Sequence, residues 1–249
     1  MKLKGKTAMI IGASGGIGRE ISMALAEKGA NLILVARRKV VISFLEEEAK
    51  GLGVEAKGFS CDATKPDSID VLVKKIKKDY KHIDILFHAA GVGVYKEFEK
   101  VTLDEWNTSM AVNVDSVFYL THKLMPLLKK SKKSFVIAMG SGMGKIALSG
   151  RSAYCASKFA LRGLILSLAK EYKKDHVNFV HLTIGSVLTS FGPLSKQEKE
   201  QKRKKKGKKY LDPEWLAHHV VTKLEHETLD PETPIYPSHY YEESRKDKR

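Results

Sequence analysis

Tyr154 and Lys158 stand four residues apart in the run Tyr-Cys-Ala-Ser-Lys. On a helix, residues at that spacing share a face, so the phenol and the ammonium project together. A phenol with a pKa near about 10 is a poor acid–base group at neutral pH. A neighbouring ammonium favours the phenolate and lowers that pKa. The pair therefore has the chemistry to move a proton on and off an oxygen atom. Ser141 lies thirteen residues before Tyr154, just after the apolar run Phe135-Val-Ile-Ala138. If that run is a parallel strand, Ser141 sits at its carboxyl end, where ligands gather in such sheets.

A second constellation is Gly12-Ala-Ser-Gly-Gly-Ile-Gly18, between the apolar run Thr7-Ala-Met-Ile-Ile11 and a helical pattern opening at Ile17. Gly12 permits a tight turn, Gly16 lets the backbone approach a pyrophosphate, and Gly18 lets the helix pack on the sheet. The helix start then offers free N–H groups and a positive dipole end to phosphates. The strand–loop–helix context makes this a dinucleotide cradle rather than a plain glycine turn. The next strand pattern ends in Val35-Ala-Arg-Arg38. A carboxylate there would bind a ribose 2′-hydroxyl, whereas an arginine accommodates a 2′-phosphate. Ala36 removes the carboxylate and Arg37 supplies the cation, with Ser14 and Arg38 able to add contacts, so NADP(H) is the expected cofactor.

The elements that must hold these residues alternate along the chain. Strand signals at 7–11, 32–35, 54–60, 83–87, 135–138 and 177–184 are separated by helical patterns at 17–28, 44–52, 68–80, 104–128 and 154–172. Asp212-Pro-Glu opens a later helix through Leu224, since Asp caps and Pro suits the first turn. Pro234-Ile-Tyr-Pro reads as a short last strand. Alternating βα units imply a parallel sheet with helices on both faces, an α/β chain with one Rossmann-type doubly wound domain over residues 1–249. Residues 190–211 read as an inserted basic substrate lid, and 242–249 as a frayed polar tail.

The formal net charge of +15 is concentrated in one place: between Lys196 and Lys209 there are nine basic residues against Glu198 and Glu200. Such a run reads first as a solvated, mobile helix or loop; with Lys129, Lys130, Lys132 and Lys133 it secondarily suggests an anionic or carrier-linked substrate. Nucleic-acid binding is not expected, because no recognition motif or interleaved aromatic platform accompanies it. Cys61 and Cys155 have no metal-ligand or redox spacing, and His88, His218, His219 and His226 form no metal set, so no metal is expected. No apolar run approaches the roughly 18 residues of a membrane span. The N-terminus has no apolar core with a cleavage site, which makes the cytoplasm the default location.

Together these motifs resemble the short-chain dehydrogenase/reductase family, from about residue 5 to about residue 190. The ordered set is Gly12-x-x-x-Gly16-x-Gly18, Asp62 after the third strand, Ala89-Ala90-Gly91 after the fourth, Asn113 in a helix, Ser141, and Tyr154-x-x-x-Lys158. The resemblance implies a reversible carbonyl/alcohol oxidoreductase acting on a ketone, aldehyde or 3-oxoacyl substrate. Tyr154 would be the general acid/base, Ser141 would orient the carbonyl oxygen, and Lys158 would tune Tyr154 and hold ribose hydroxyls. Asn113 would kink its helix and hold a water that links Lys158 to solvent. Asp62 would bind the adenine amino group, with Ala63 beside it. Ile17, Ala90, Gly91 and Gly185 would line the cofactor groove, and Thr189 would meet the carboxamide. A homodimer or homotetramer is implied as well. A non-enzymatic cofactor-sensing or interaction protein on the same fold is the alternative, but its mark would be a broken catalytic set and this one is intact.

Four places depart from the family pattern. Ile11 replaces a threonine, His88-Ala89 replace paired asparagines, Gly140 replaces a common serine, and Ile184 replaces the proline before Gly185. They bear on local loop geometry more than on proton transfer, and His88 is expected to donate to backbone carbonyls as asparagine does. The end, Tyr236-Pro-Ser-His-Tyr-Tyr241, lacks the glycine-rich strand that many 3-oxoacyl-acyl-carrier-protein reductases use to build a tetramer.

Overall fold

The computed structural model describes residues 1–246, with the backbone alone for the last three. Short apolar runs become strands buried on both faces: β1 (Thr7–Ile11), β2 (Asn31–Ala36), β4 (Ile85–His88), β5 (Ser134–Met139) and β6 (Val177–Ile184). With β3 (Ala56–Ser60) and β7 (Glu232–Ile235) they form a seven-stranded sheet in the order β3-β2-β1-β4-β5-β6-β7. Every pairing is parallel. This is the Rossmann-type, doubly wound α/β architecture.

Successive strand residues face opposite sides, which divides the core in two. Ile10, Leu34, Phe87 and Ile137 pack with Ile21 and Leu25 of α1 (Gly16–Glu27), Leu45 of α2 (Lys39–Gly51) and Val220 of α8 (Pro213–Glu225). On the other side, Met9, Ile33, Leu86 and Val136 meet Leu72 of α3 (Pro66–Asp79), Leu124 of α5 (Ser116–Leu128) and Ile165 of α6 (Ser152–Glu171). Chain order reverses between β1 and β4. The crevice at such a switch point, outside the carboxyl ends of the strands, is where ligands bind. The loops after β1, β4, β5 and β6 open onto that edge.

The helical pattern at 104–128 is two helices, α4 (Leu103–Met110) and α5, joined by one wide π turn over Ala111–Asp115. Within the expected lid, α7 (Lys196–Lys206) is a helix: Ser195 and Glu198 form a reciprocal capping box, and Gly207, at φ 61°, ends it in the left-handed region. The expected frayed tail needs correction as far as it is described. Residues 242–246 continue α9 (Pro237–Lys246), because Tyr240 packs 5.2 Å from the Trp215 ring and Trp215 Nε1 donates to Glu243 at 3.1 Å. Residues 247–249 of that tail lie outside the described residues. No helix among the described residues is long and apolar enough to cross a membrane.

Candidate active site

The cleft along the strand ends has a volume of about 910 Å3. At its β1 end, Gly12 has φ 89°, and a Cβ on it would meet Ala90 N at 2.5 Å. A Cβ on Gly18 would fall 2.2 Å from the Gly12 carbonyl oxygen, so this glycine permits the close approach of α1 to the β1 turn. Gly16 differs: its φ is 53° and nothing lies within 4 Å of where its Cβ would be. The space above it is open, and no side chain caps the first N–H groups of α1. Arg38 Nη2 donates to the Ser14 carbonyl at 3.2 Å and so arches over the loop, with Arg37 lining the cleft beside it. Uncapped amide donors, open space and two guanidinium groups fit the phosphates of a dinucleotide.

Asp62 is fixed by Thr64, whose hydroxyl and amide donate to its Oδ1 at 2.8 and 3.1 Å. Those bonds, with desolvation opposing and Lys65 and Arg37 adding their charge, hold its carboxyl below the usual range. Ala63, Ala90, Gly91, Ile17, Gly185 and Thr189 also line the cleft.

Farther along, Ser141, Tyr154 and Lys158 converge on the same cleft. Met143 N donates to Ser141 Oγ at 3.1 Å. Tyr154 is 5% exposed and Lys158 is 3% exposed. The lowering of the phenol pKa expected from Lys158 is not what the geometry produces. Burial raises the Tyr154 pKa and the Ser141 hydrogen bond only partly opposes it. Lys158 Nζ donates instead to the Met139 carbonyl at 2.8 Å and stands 5.8 Å from the Tyr154 ring centroid, while burial pushes its own pKa down to about 8.

Asn113 and Gly18 are the two sequence-identified residues that do not line the cleft. Asn113 sits in the π turn, 1% exposed, and works from behind the wall. Its Oδ1 accepts from Val92 N at 2.9 Å, while Nδ2 donates to the Val92 carbonyl and to Ser157 Oγ, both at 2.9 Å. The amide thus clamps the loop after β4 to the helix carrying Tyr154. Ser157, with Ser109 at 3.3 Å, completes a buried network that sequence reasoning missed. The only signal for it is a small polar residue beside Lys158 on a helix otherwise buried there.

The walls around Tyr154 were likewise not singled out. The Tyr95 ring lies 5.5 Å from the Tyr154 ring on one side and Phe191 lies 6.0 Å away on another. Arg151 Cζ stands 5.1 Å from the Tyr95 centroid.

Three of the four departures have physical accounts in the structure. His88 is buried and its Nε2 meets Thr121 Oγ1 at 3.0 Å, a hydroxyl rather than the backbone carbonyls expected, while Nδ1 finds no protein partner among the described residues. Burial drops its pKa to about 3, so the ring is neutral. Gly140 makes room for His181: a Cβ at 140 would lie 2.1 Å from His181 Nε2. Ile184 extends β6 to pair with Ile235 of β7. Nothing in the structure gives Ile11 a special role beyond burial.

Residues 6–200 match the family model described as short chain dehydrogenase, and the chain belongs to that family of oxidoreductases. An oxidoreductase of Staphylococcus epidermidis is 30% identical over 223 residues, 90% of this chain and 92% of that one. The 3-oxoacyl-(acyl-carrier-protein) reductase of Escherichia coli is 33% identical over 171 residues, 69% of each chain. The structure of an alcohol dehydrogenase from the archaeon Thermococcus sibiricus, complexed with 5-hydroxy-NADP, superposes with a TM-score of 0.82 at 26% identity, covering 94% of this chain and 96% of that one.

Proposed function

We propose that the protein is an NADP(H)-dependent oxidoreductase that interconverts a carbonyl and an alcohol. What supports this most is that Ser141, Tyr154 and Lys158 line the same cleft as Gly12 and Gly16. The missing carboxylate at Ala36 and the cations Arg37 and Arg38 support NADP(H) over NAD(H), and the Thermococcus sibiricus enzyme of the same fold carries an NADP derivative. Gly12, Ser14, Gly16 and Ile17 would hold the pyrophosphate, Asp62 and Ala63 the adenine, and Ala90, Gly91, Gly185 and Thr189 the remaining groove. When bound, the nicotinamide supplies or accepts the hydride.

In this reading the chain's own residues handle position and the proton. Ser141 Oγ donates a hydrogen bond to the substrate oxygen and orients it beside Tyr154. The Tyr154 hydroxyl gives up its proton to that oxygen in reduction and takes one back in oxidation. Lys158, whose ammonium stands 5.8 Å from the Tyr154 ring centroid, would hold the ribose hydroxyls of the cofactor. Asn113 positions the helix that presents both residues. Tyr95 and Phe191 exclude water from the reacting oxygen, and segment 190–211 forms the lid of the pocket. The test is a panel of ketones, aldehydes and 3-oxoacyl thioesters followed by loss of NADPH absorbance. Tyr154→Phe is expected to lower kcat by about a hundredfold or more. Full activity in that variant would overturn the mechanism.

A further inference from the structure

The charged groups around the substrate half of the cleft are all cations, and one guanidinium among them has no carboxylate partner among the described residues. Asp62, at the β3 end beside Arg37, is the one acidic residue lining the cleft among the described residues. Lys145 is paired with Glu232 at 3.0 Å. Lys158 and Lys199 are occupied by backbone carbonyls, and the exposed Lys208 lies over the Tyr210 ring. Arg151 is different. It is half-buried at the start of α6, its guanidinium lies over the Tyr95 ring, and its Nη1 donates to Met143 Sδ at 3.5 Å. A thioether is a weak acceptor for one of five guanidinium N–H groups. Arg162, eleven residues on, shows what a guanidinium on this helix does when a carboxylate is available: it binds both oxygens of Glu232 at 2.8 and 2.9 Å.

Building on the carbonyl-reductase reading, we infer that Arg151 anchors a carboxylate of the substrate, which makes the preferred substrates oxo acids with an apolar body. The Tyr95 ring contacts both groups, 5.1 Å from Arg151 Cζ and 5.5 Å from the Tyr154 ring, so the carboxylate would sit a few bonds from the carbonyl being reduced. Tyr95, Met143, Ile146, Leu148 and Phe191 contribute apolar surface to the same cleft. A planar guanidinium meets a carboxylate through two parallel hydrogen bonds, which fixes orientation as well as charge. The net charge of +15 draws such anions toward the protein in general, and beside Tyr154 Arg151 is the guanidinium that could receive one.

The deciding measurement compares kcat/KM for benzoylpropionate with that for its methyl ester, within a wider panel of free oxo acids and their esters. The wild-type chain is expected to favour the acids, and Arg151→Met to lower the acid-to-ester ratio by about tenfold or more, as befits loss of a charged hydrogen-bonded pair. Arg151→Lys should keep part of the preference. Turnover of esters with a ratio that does not change in Arg151→Met overturns the anchor and leaves the reductase reading standing. Failure to turn over any carbonyl in the panel overturns the reductase reading instead. Calorimetric titration with phenylbutyrate, which has no ketone, then still judges the anchor: binding about tenfold weaker in Arg151→Met supports it, and equal or absent binding in both proteins overturns it.

Discussion

Lys199 Nζ donates to the Thr189 carbonyl at 2.8 Å, and the same ammonium reaches the carbonyls of Val187 and Phe191. Its three donors are thereby matched to three acceptors. Lys199 is 8% exposed on a helix whose other lysines face solvent or lie at its edge. Thr189 and Phe191 line the cleft, and Phe191 packs against Tyr154. The basic helix is thus tied to the cleft wall beside Tyr154 by one buried ammonium.

Lys199→Met keeps the aliphatic stem and leaves three carbonyls without that donor. A loss of about 2 kcal/mol is expected in urea unfolding, in the range for hydrogen bonds to a charged group. Amide exchange should quicken across 187–206 while the central strands stay protected. Lys204→Met, on the exposed face, should change stability by less than about 0.5 kcal/mol. Equal effects of the two substitutions would show that Lys199 holds nothing.

Lys199 also marks where sequence reading ended. Nine basic residues in a row of fourteen positions look alike, and only the path of the 187–191 loop decides which of them is buried. The strand–helix alternation, the glycine cradle and the Tyr154–Lys158 pair were legible because each rests on local periodicity or spacing. The helices α7 and α9 were obscured by their polarity, although Ser195-x-x-Glu198 and Pro237 are start signals. The walls Tyr95 and Phe191 come from loops, and the direction of Lys158 toward Met139 depends on tertiary packing, so neither leaves a trace in residue spacing.

Arg37→Ala tests the cofactor preference. Removing a guanidinium that pairs a phosphate should weaken NADPH by about 2 kcal/mol, roughly thirtyfold, and leave NADH nearly unchanged. Fluorescence titration with both nucleotides reads the difference directly. A similar loss for both would mean that Arg37 does not read the 2′-phosphate.

The buried histidines make a statement about acid stability. Burial pushes His88 down to about 3 and His181 to about 4. Unfolded histidines take up protons near about 6.5. Between those values the unfolded chain binds more protons than the folded one, so stability falls as pH falls, by up to about 1.4 kcal/mol per pH unit for each ring. Glu232, held at about 2 chiefly by Arg162, loses its contribution only below about 4.5. Urea unfolding between about pH 7 and about pH 5 should therefore show a slope that His88→Asn makes shallower. An unchanged slope would mean that His88 is not neutral in the fold.

Gly140 and His181 should behave as one unit. His181 Nε2 has no partner among the described residues and lies where a side chain on residue 140 would go. Its Nδ1 is held by Thr183 Oγ1 at 3.1 Å, and Thr183 in turn donates to Glu232 at 3.1 Å, so the ring cannot simply swing aside. Gly140→Ser, which introduces the residue common in the family, is expected to cost about 2 kcal/mol or more through overpacking. In a His181→Ala background the cavity left by the imidazole can receive the serine, and the cost of the same change should fall by at least about 1 kcal/mol. A double-mutant cycle in urea measures that coupling. Additive effects would show that the two positions were not exchanged as a pair, and that the glycine before Ser141 answers to some other constraint.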